Sequence, residues 1–150
     1  DSEFRYDVTP IPALQGIDDE RVIYVSSFSK TMFPGMRLAY IVFPRRLVKP
    51  FLGIKSLATG FTQTLLQAAL ARFIASGAYA SHLKKMRVEY GEKHDHAMRA
   101  FRAALAGKMS LEISPMGLHI TGRFDDQRRS DKLVAHAAGL EGIDLKPLSI

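Results

Sequence analysis

Two short apolar runs near the start of the chain enclose a polar loop. Residues 22–25 and 38–43 are rich in β-branched and aromatic side chains and end at polar or Pro-Gly positions, a pattern that predicts buried strands. The loop between them would then lie at strand ends, where α/β folds usually carry their chemistry. Within twelve residues this loop holds six side chains with hydroxyl or cationic groups: Ser26, Ser27, Ser29, Lys30, Thr31 and Arg37.

Further along the chain, apolar residues recur every three or four positions, a spacing that predicts three helices. A helix over 46–57 would carry Pro50 in its first turn. A second helix, over 61–76, would end at Gly77. The longest would run over 79–106, with apolar residues near one face and charges on the other.

The last third of the chain alternates short apolar runs with turns. Strands are predicted over 111–114 and 118–124 around a turn at 115–117. A helix over 130–139 and a strand over 143–148 would follow. This order of elements predicts a small α/β sandwich, and the chain as a whole is of the α/β class.

The composition fits one folded core and excludes several kinds of site. With 150 residues, 47% of them hydrophobic, the chain can bury a core. The absence of cysteine excludes a disulfide scaffold, a cysteine nucleophile and a zinc-thiolate site. His94 and His96 would point to different faces of a helix because they are two positions apart, so we expect no metal site.

The formal charge of +6 raises the question of nucleic-acid binding, since clustered Lys and Arg attract phosphates. The basic residues are scattered, and those of the helix over 79–106 alternate with acidic ones, which is typical of a solvated helix face. No helix-turn-helix or zinc-finger pattern is recognisable. If the parent protein binds DNA, we expect the binding domain to lie outside this chain.

The ends of the sequence and its hydropathy give two further expectations. The chain has no initiator Met and ends inside an apparent strand, so we expect a fragment of a longer protein. It has no signal-peptide pattern and no apolar run of about 18 residues, which predicts a cytoplasmic protein without a membrane partner.

Lys30 is the candidate reactive residue of this loop. A lysine in largely apolar surroundings has its ammonium form disfavoured, so its neutral amine can attack a carbonyl and form a Schiff base. Arg37, seven positions later, could hold a phosphate through two parallel hydrogen bonds, and Ser27, three positions before Lys30, could add a third. Lysine and phosphate ligands together suggest pyridoxal phosphate. Ser-x-Ser-Lys is nevertheless common, and an isolated lysine at a strand end is more often a solvated surface residue.

The full string from 27 to 40, Ser-Phe-Ser-Lys-Thr-Met-Phe-Pro-Gly-Met-Arg-Leu-Ala-Tyr, closely resembles the lysine motif of fold-type I pyridoxal-phosphate enzymes, the aspartate aminotransferase superfamily. The resemblance implies that Lys30 forms the internal aldimine with pyridoxal 5'-phosphate. It also implies that Ser27 and Arg37 bind the cofactor phosphate. One departure is Ala39, where the family usually has Gly, a difference small enough that no functional consequence is expected.

The opening Asp-Ser-Glu-Phe-Arg-Tyr, and Pro-Ile-Pro-Ala-Leu-Gln at 10–15, resemble the segment before the lysine strand in MocR-type regulators of the GntR superfamily. In these transcription factors a winged-helix domain is joined to an aminotransferase-like domain. The resemblance implies a homodimeric effector domain that senses an amino acid or amine. Two alternatives stay open, namely a class I/II aminotransferase acting on an amino acid and an interaction module without cofactor.

The resemblance also implies a domain organisation for the C-terminal part of such a protein. Residues 1–77 would be the end of the large parallel or mixed-sheet domain, 78–106 the linking helix, and 107–150 an incomplete small α/β domain. The aspartate that pairs with the pyridine nitrogen would precede the chain, and the arginine that binds the substrate carboxylate would follow it. We therefore expect these residues alone to be inactive in transamination.

Overall fold

The computed structural model describes residues 4–6, 9, 11–112, 114, 116–126 and 129–148. Their helices and strands, in chain order, are β1 (Tyr24–Ser27), β2 (Ala39–Val42), α1 (Arg45–Ala58), α2 (Thr64–Ala75), α3 (Ala78–Leu105), β3 (Met109–Glu112), β4 (Thr121–Phe124) and α4 (Asp131–Leu140). The mixed α/β class predicted from the sequence is confirmed. No helix in the described part of the chain is long and apolar enough to cross a membrane.

The chain divides into two compact units. The first comprises residues 1–91 with 115–117, and the second comprises 92–114 with 118–150. The division falls within α3, whose 28 residues form one continuous helix. The predicted bounds of this helix, 79–106, agree with the structure to within one residue at each end, as expected for a long and strongly periodic segment.

In the first unit, β1 and β2 form a two-stranded antiparallel sheet in which Ser27 lies opposite Ala39. The predicted first strand began two residues too early, because the backbone ladder includes two serines that an apolar pattern does not mark. The prediction that both strands are buried is wrong for the described residues. Side chains of β1 alternate between half-buried and exposed, and those of β2 are exposed.

Two helices follow the sheet in the first unit. The helix α1 begins at Arg45, so Pro50 is its sixth residue and lies beyond the first turn in which it was predicted. The predicted end of α2 is confirmed. Gly77 lies just beyond the helix with a φ of +76° and donates its N–H to the carbonyl of Ile74, an arrangement that glycine adopts at little steric cost.

The core of the first unit lies beneath the loop between the two strands. Met36 and Leu38 from that loop are buried against Leu70 of α2. Phe28, Met32 and Leu66 pack around these three residues. The apolar residues of the loop therefore anchor it to α2 through the hydrophobic effect.

In the second unit, β3 and β4 form an antiparallel pair, with Leu111 opposite Gly122. The helix α4 begins after Ser130, whose side chain accepts a hydrogen bond from the N–H of Leu133 at 3.4 Å, as an N-cap serine does. The predicted helix over 130–139 is thus displaced by one residue.

The predicted strand over 143–148 is absent, since these residues form no regular structure. Pro147 has no N–H to donate to a ladder, and the N–H of Leu148 donates instead to a carboxylate oxygen of Asp131 at 2.8 Å. The strand predicted over 111–114 lies two residues earlier, at Met109–Glu112, and the strand predicted over 118–124 is shorter, at Thr121–Phe124. Residues 113 and 115 of the first predicted strand and turn lie outside the described residues.

Candidate functional site

Residues 28–38, here called the lysine loop, connect β1 to β2 and carry Lys30. The N–H of Phe28 donates to the carbonyl of Leu38 at 3.0 Å, which extends the β ladder by one step. The N–H of Met32 then donates to the carbonyl of Phe28 at 2.8 Å. Lys30 is therefore held in a closed turn, and its backbone position is fixed by hydrogen bonds on both sides.

The three predicted site residues, Ser27, Lys30 and Arg37, are all exposed. The register places Ser27 opposite Ala39, which follows Arg37 by two residues, so Ser27 and Arg37 lie at the same end of the sheet. Lys30 belongs to the loop that connects these positions. The expectation of largely apolar surroundings for Lys30 is wrong in the described residues, because the apolar side chains of the loop turn toward α2 and leave the lysine exposed.

Arg37 has an unusual backbone conformation. Its φ of +51° is the one positive value at a residue other than glycine in the described part of the chain. It follows a 3-10 turn, Pro34–Met36, and donates its N–H to the carbonyl of Pro34 at 3.3 Å. The left-handed region costs an ordinary residue on the order of 1–2 kcal/mol. Burial of Met36 and Leu38 on either side offsets this cost and leaves the guanidinium exposed.

Two side chains of α3 bind the residue that follows Lys30. The Tyr79 hydroxyl donates to Thr31 Oγ1 at 2.9 Å, and His82 Nε2 lies 2.9 Å from the Thr31 carbonyl oxygen. Since a carbonyl oxygen can only accept, His82 donates this hydrogen bond from Nε2. Thr31 has 2% of its surface exposed and is the buried polar residue of the described chain.

Tyr79 and His82 were not predicted as site residues, because neither belongs to the lysine motif. The structure half-buries both side chains. Their spacing of three positions on a helix puts them on one face, which is the sequence signal that could have indicated a common partner. The identity of that partner depends on how the loop packs against α3.

An aromatic cluster surrounds these hydrogen bonds. The ring of Tyr79 lies edge-on to Phe28 and Phe73, with centroid separations of 6.0 and 6.2 Å. Phe73 also contacts the ring of His82, at 6.3 Å. The two hydrogen bonds to Thr31 therefore lie among aromatic rings, where a hydrogen bond is electrostatically stronger than in water.

The exposed groups of the lysine loop, together with Ser27 at the end of β1, fit a ligand that carries both a phosphate and an aldehyde. Arg37 offers a planar set of N–H donors and Ser27 a hydroxyl, both suited to phosphate oxygens. Lys30 offers an amine that can add to a carbonyl. Thr31 is unsuited to either task, because its hydroxyl and carbonyl already bind α3. Among the described residues, no group of three or more His, Asp or Glu side chains could hold a metal ion.

Comparison with known proteins defines the class of protein to which this fold and loop belong. The model of the family "Aminotransferase class I and II" matches residues 3–136. The chain belongs to this family. It therefore carries part of an aminotransferase-type domain.

The chain is similar to several curated regulators. It is 37% identical over 150 residues to the probable rhizopine catabolism regulatory protein MocR of Rhizobium meliloti, covering 99% of this chain and 30% of that protein. It is 35% identical to the uncharacterized HTH-type transcriptional regulator YhdI of Bacillus subtilis, covering 99% of this chain and 32% of that protein. The chain thus spans about a third of the length of these relatives.

Solved aminotransferase structures share the fold. A multiple substrate aminotransferase from Thermococcus profundus superposes with a TM-score of 0.85 at 24% identity, covering 95% of this chain and 36% of that chain. A kynurenine aminotransferase from Pyrococcus horikoshii, solved in complex with PMP, gives a TM-score of 0.87 at 22% identity, covering 97% of this chain and 36% of that chain. At these identities the likeness establishes the fold-type I architecture of the chain.

Proposed function

We propose that this chain is part of the pyridoxal-phosphate-binding effector domain of a MocR-type transcriptional regulator. Lys30 is the residue to which the cofactor attaches, and Ser27 and Arg37 bind its phosphate. The similarity to MocR and to other HTH-type regulators supports the regulatory role. The observation that carries the site is the exposed Lys30 on a hydrogen-bonded turn, with exposed Ser27 and Arg37 at its two ends.

The proposal extends to the organisation of the whole protein. Residues 1–77 belong to the large cofactor domain, 78–106 form the linking helix, and 107–150 belong to the small domain. The protein is a cytoplasmic homodimer that binds an amino acid or amine, and DNA binding resides in a separate domain. A strictly monomeric full-length protein in sedimentation would contradict the dimer.

Ser27, Lys30 and Arg37 would bind different parts of the cofactor. Bound pyridoxal phosphate supplies an aldehyde carbon and an electron-accepting ring. The Arg37 guanidinium would hold the phosphate through parallel hydrogen bonds, and the Ser27 hydroxyl would donate another. The Lys30 amine would hold the cofactor covalently at its aldehyde carbon, with release of one water molecule. The buried Thr31 and the half-buried Met32 keep the Lys30 backbone fixed while its side chain reaches the ligand.

A second candidate is an ordinary aminotransferase, favoured by the shared fold with the multiple substrate and kynurenine aminotransferases. Both candidates use the same lysine chemistry. A winged-helix domain before the present residues in the full-length protein identifies the regulator, whereas multiple-turnover transamination by that protein identifies the enzyme. A third candidate, an interaction module without cofactor, predicts that the full-length protein shows no visible absorbance from bound pyridoxal phosphate.

Borohydride trapping tests the assignment of Lys30. The full-length protein is loaded with pyridoxal phosphate, reduced and digested, and the labelled peptide is identified by mass spectrometry. We expect the label on Lys30 and its loss in Lys30→Ala. Lys49→Ala, which removes another exposed lysine, on α1, is the matched control and should leave trapping unchanged. Label that persists on a different lysine in Lys30→Ala would refute the assignment.

A further inference from the structure

Thr31, the residue after Lys30, forms hydrogen bonds with two side chains of α3. Thr31 presents its hydroxyl to Tyr79 and its carbonyl to His82, both at 2.9 Å, and it is almost fully buried. One hydrogen bond thus fixes the side chain of Thr31 and the other fixes the backbone. Two bonds of different direction restrain rotation as well as translation of the residue next to Lys30.

We propose that Tyr79 and His82 are positioning residues that hold Lys30 in place for cofactor attachment by binding Thr31. The proposal rests on the assignment of Lys30 as the attachment residue. Neither Tyr79 nor His82 needs to contact the ligand, since both act on the buried side of the loop. Their contribution is to keep the Lys30 amine within reach of the ligand carbonyl, and attack on a carbonyl requires a narrow range of distance and angle.

The exposure pattern explains why such a support is needed. The side chain of Lys30 is exposed, so packing does little to restrain it. The loop also contains Arg37 in a left-handed conformation, and the packing of the loop has to oppose any rearrangement that would relieve this backbone strain. Anchoring through Thr31 opposes this rearrangement without occupying the exposed face.

The placement of the two donors supports a common role. They lie three residues apart, in the first two turns of α3, and both contact the ring of Phe73. Tyr79 also contacts the ring of Phe28, whose carbonyl and N–H close the turn around Lys30. Tyr79 therefore packs against Phe28, at the start of this turn, and also hydrogen-bonds to Thr31, near the end of the turn.

Amide hydrogen exchange in the cofactor-free, full-length protein tests the positioning directly. The amide of Met32 is a suitable reporter, because its bond to the Phe28 carbonyl closes the turn. We expect Tyr79→Phe and His82→Leu each to accelerate its exchange about fivefold to tenfold, since each removes one hydrogen bond from a locally opening segment. Tyr79→Phe keeps the ring packing, so global folding should be retained.

Rescue and control variants separate positioning from general destabilisation. His82→Gln retains a side-chain N–H donor and should exchange more slowly than His82→Leu. In a Thr31→Val background, Tyr79→Phe should have no further effect, because its partner oxygen is already gone. His96→Leu removes an exposed histidine from the same helix and should match the unmodified protein.

The second measurement is the rate at which bound pyridoxal phosphate leaves the protein, followed by its visible absorbance in the presence of a scavenger. We expect release about fivefold to tenfold faster in Tyr79→Phe and His82→Leu than in the unmodified protein. Unchanged exchange at Met32 in both variants overturns the proposal whatever the cofactor does. Faster exchange with unchanged release also overturns it, because the loop would then move without consequence for Lys30.

Failure of the proposed function gives a different result. If the unmodified protein traps no pyridoxal phosphate at Lys30, the assignment of the attachment residue fails even when the exchange data show that Tyr79 and His82 hold the loop. If trapping occurs at Lys30 and neither variant alters exchange or release, the assignment of Lys30 stands and the positioning role is refuted.

Discussion

The hydroxyl of Tyr6 donates a hydrogen bond to the carbonyl of Gly117, 111 positions further along the chain, at 2.9 Å. Two other contacts join the same segments. The N–H of Gly117 donates to the carbonyl of Phe4 at 2.8 Å, and Arg5 forms an antiparallel bridge with Met116. Phe4 is completely buried and its ring lies edge-on to Tyr90 of α3 at 5.0 Å. Residues 4–6 are thus part of the first unit's folded structure.

This relationship gives a prediction for alkaline pH. Burial, and to a smaller extent the neighbouring charge of Tyr90, raise the pKa of Tyr6 above its ordinary value of 10.0. Because the folded state holds this proton more tightly than the unfolded state, the stabilisation is complete below pH 10 and is lost as pH rises through the folded pKa. The free energy of unfolding should therefore fall above pH 10 in the unmodified protein.

Tyr6→Phe removes both the ionisation and the hydrogen bond to Gly117. We expect a loss of about 1 kcal/mol at neutral pH, the usual net value of one hydrogen bond, and a shallower decline in alkaline solution. Chemical denaturation at a series of pH values measures both quantities. Parallel alkaline declines for the two proteins would show that Tyr6 does not titrate with folding.

Gly77 and Gly53 form a pair for which the same substitution has opposite effects. Gly77 has a φ of +76°, so Gly77→Ala forces an ordinary residue into the left-handed region and should cost about 1–2 kcal/mol. Gly53 lies inside α1, and the space that an added Cβ would occupy is open. Gly53→Ala should stabilise the protein by up to about 1 kcal/mol, because alanine is the better helix former. Thermal unfolding of both variants checks the signs, and a loss in both would contradict the assigned conformation of Gly53.

The parts of the fold that were predicted from the sequence depend on local physics. The long helix α3 follows from apolar spacing, and the glycine after α2 marks that helix's end because its backbone conformation is local. The prediction of a strand over 143–148 was wrong, because an apolar run forms a strand only where a neighbouring strand is available to hydrogen-bond with it. There, the Leu148 N–H binds Asp131 instead.

The candidate site likewise has parts that the local sequence predicts and parts that depend on packing. A contiguous motif identifies Ser27, Lys30 and Arg37. The hydrogen bonds to Thr31, by contrast, come from residues 48 and 51 positions further along the chain. The sequence pattern gave no signal for the left-handed backbone of Arg37 either. That conformation results from the burial of both of its neighbours, which is a property of the packed loop.

Arg37 allows backbone strain to be separated from phosphate binding. Arg37→Ala and Arg37→Gly both remove the guanidinium, and each should weaken retention of pyridoxal phosphate roughly tenfold to a hundredfold, the effect of losing about 1.5–3 kcal/mol of charge-assisted hydrogen bonding. Only the glycine variant relieves the positive φ, so it should unfold at a temperature equal to or above that of the unmodified protein. Retention equal to the unmodified protein in both variants would exclude Arg37 from the phosphate site.

The final prediction concerns the 150 residues taken by themselves, which should not catalyse transamination. The reaction needs a group that keeps the pyridine nitrogen protonated, and the resemblance to fold-type I enzymes assigns that task to an aspartate upstream of the present residues. The substrate carboxylate also needs an arginine, which the resemblance places downstream. Without these groups the substrate is not held in reactive geometry, a loss that can reach several powers of ten in rate.

The exposed position of Lys30 acts in the same direction, because water reaches the amine and weakens the electrostatic interactions on which catalysis depends. Lys30 and Arg37 should still allow a weak and exchangeable attachment of added pyridoxal phosphate. The measurement is single-turnover formation of pyridoxamine phosphate from a panel of amino acids, with the full-length protein assayed in parallel. Efficient conversion by the 150 residues alone would mean that acidic and cationic groups of this chain perform the tasks assigned here to other parts of the protein.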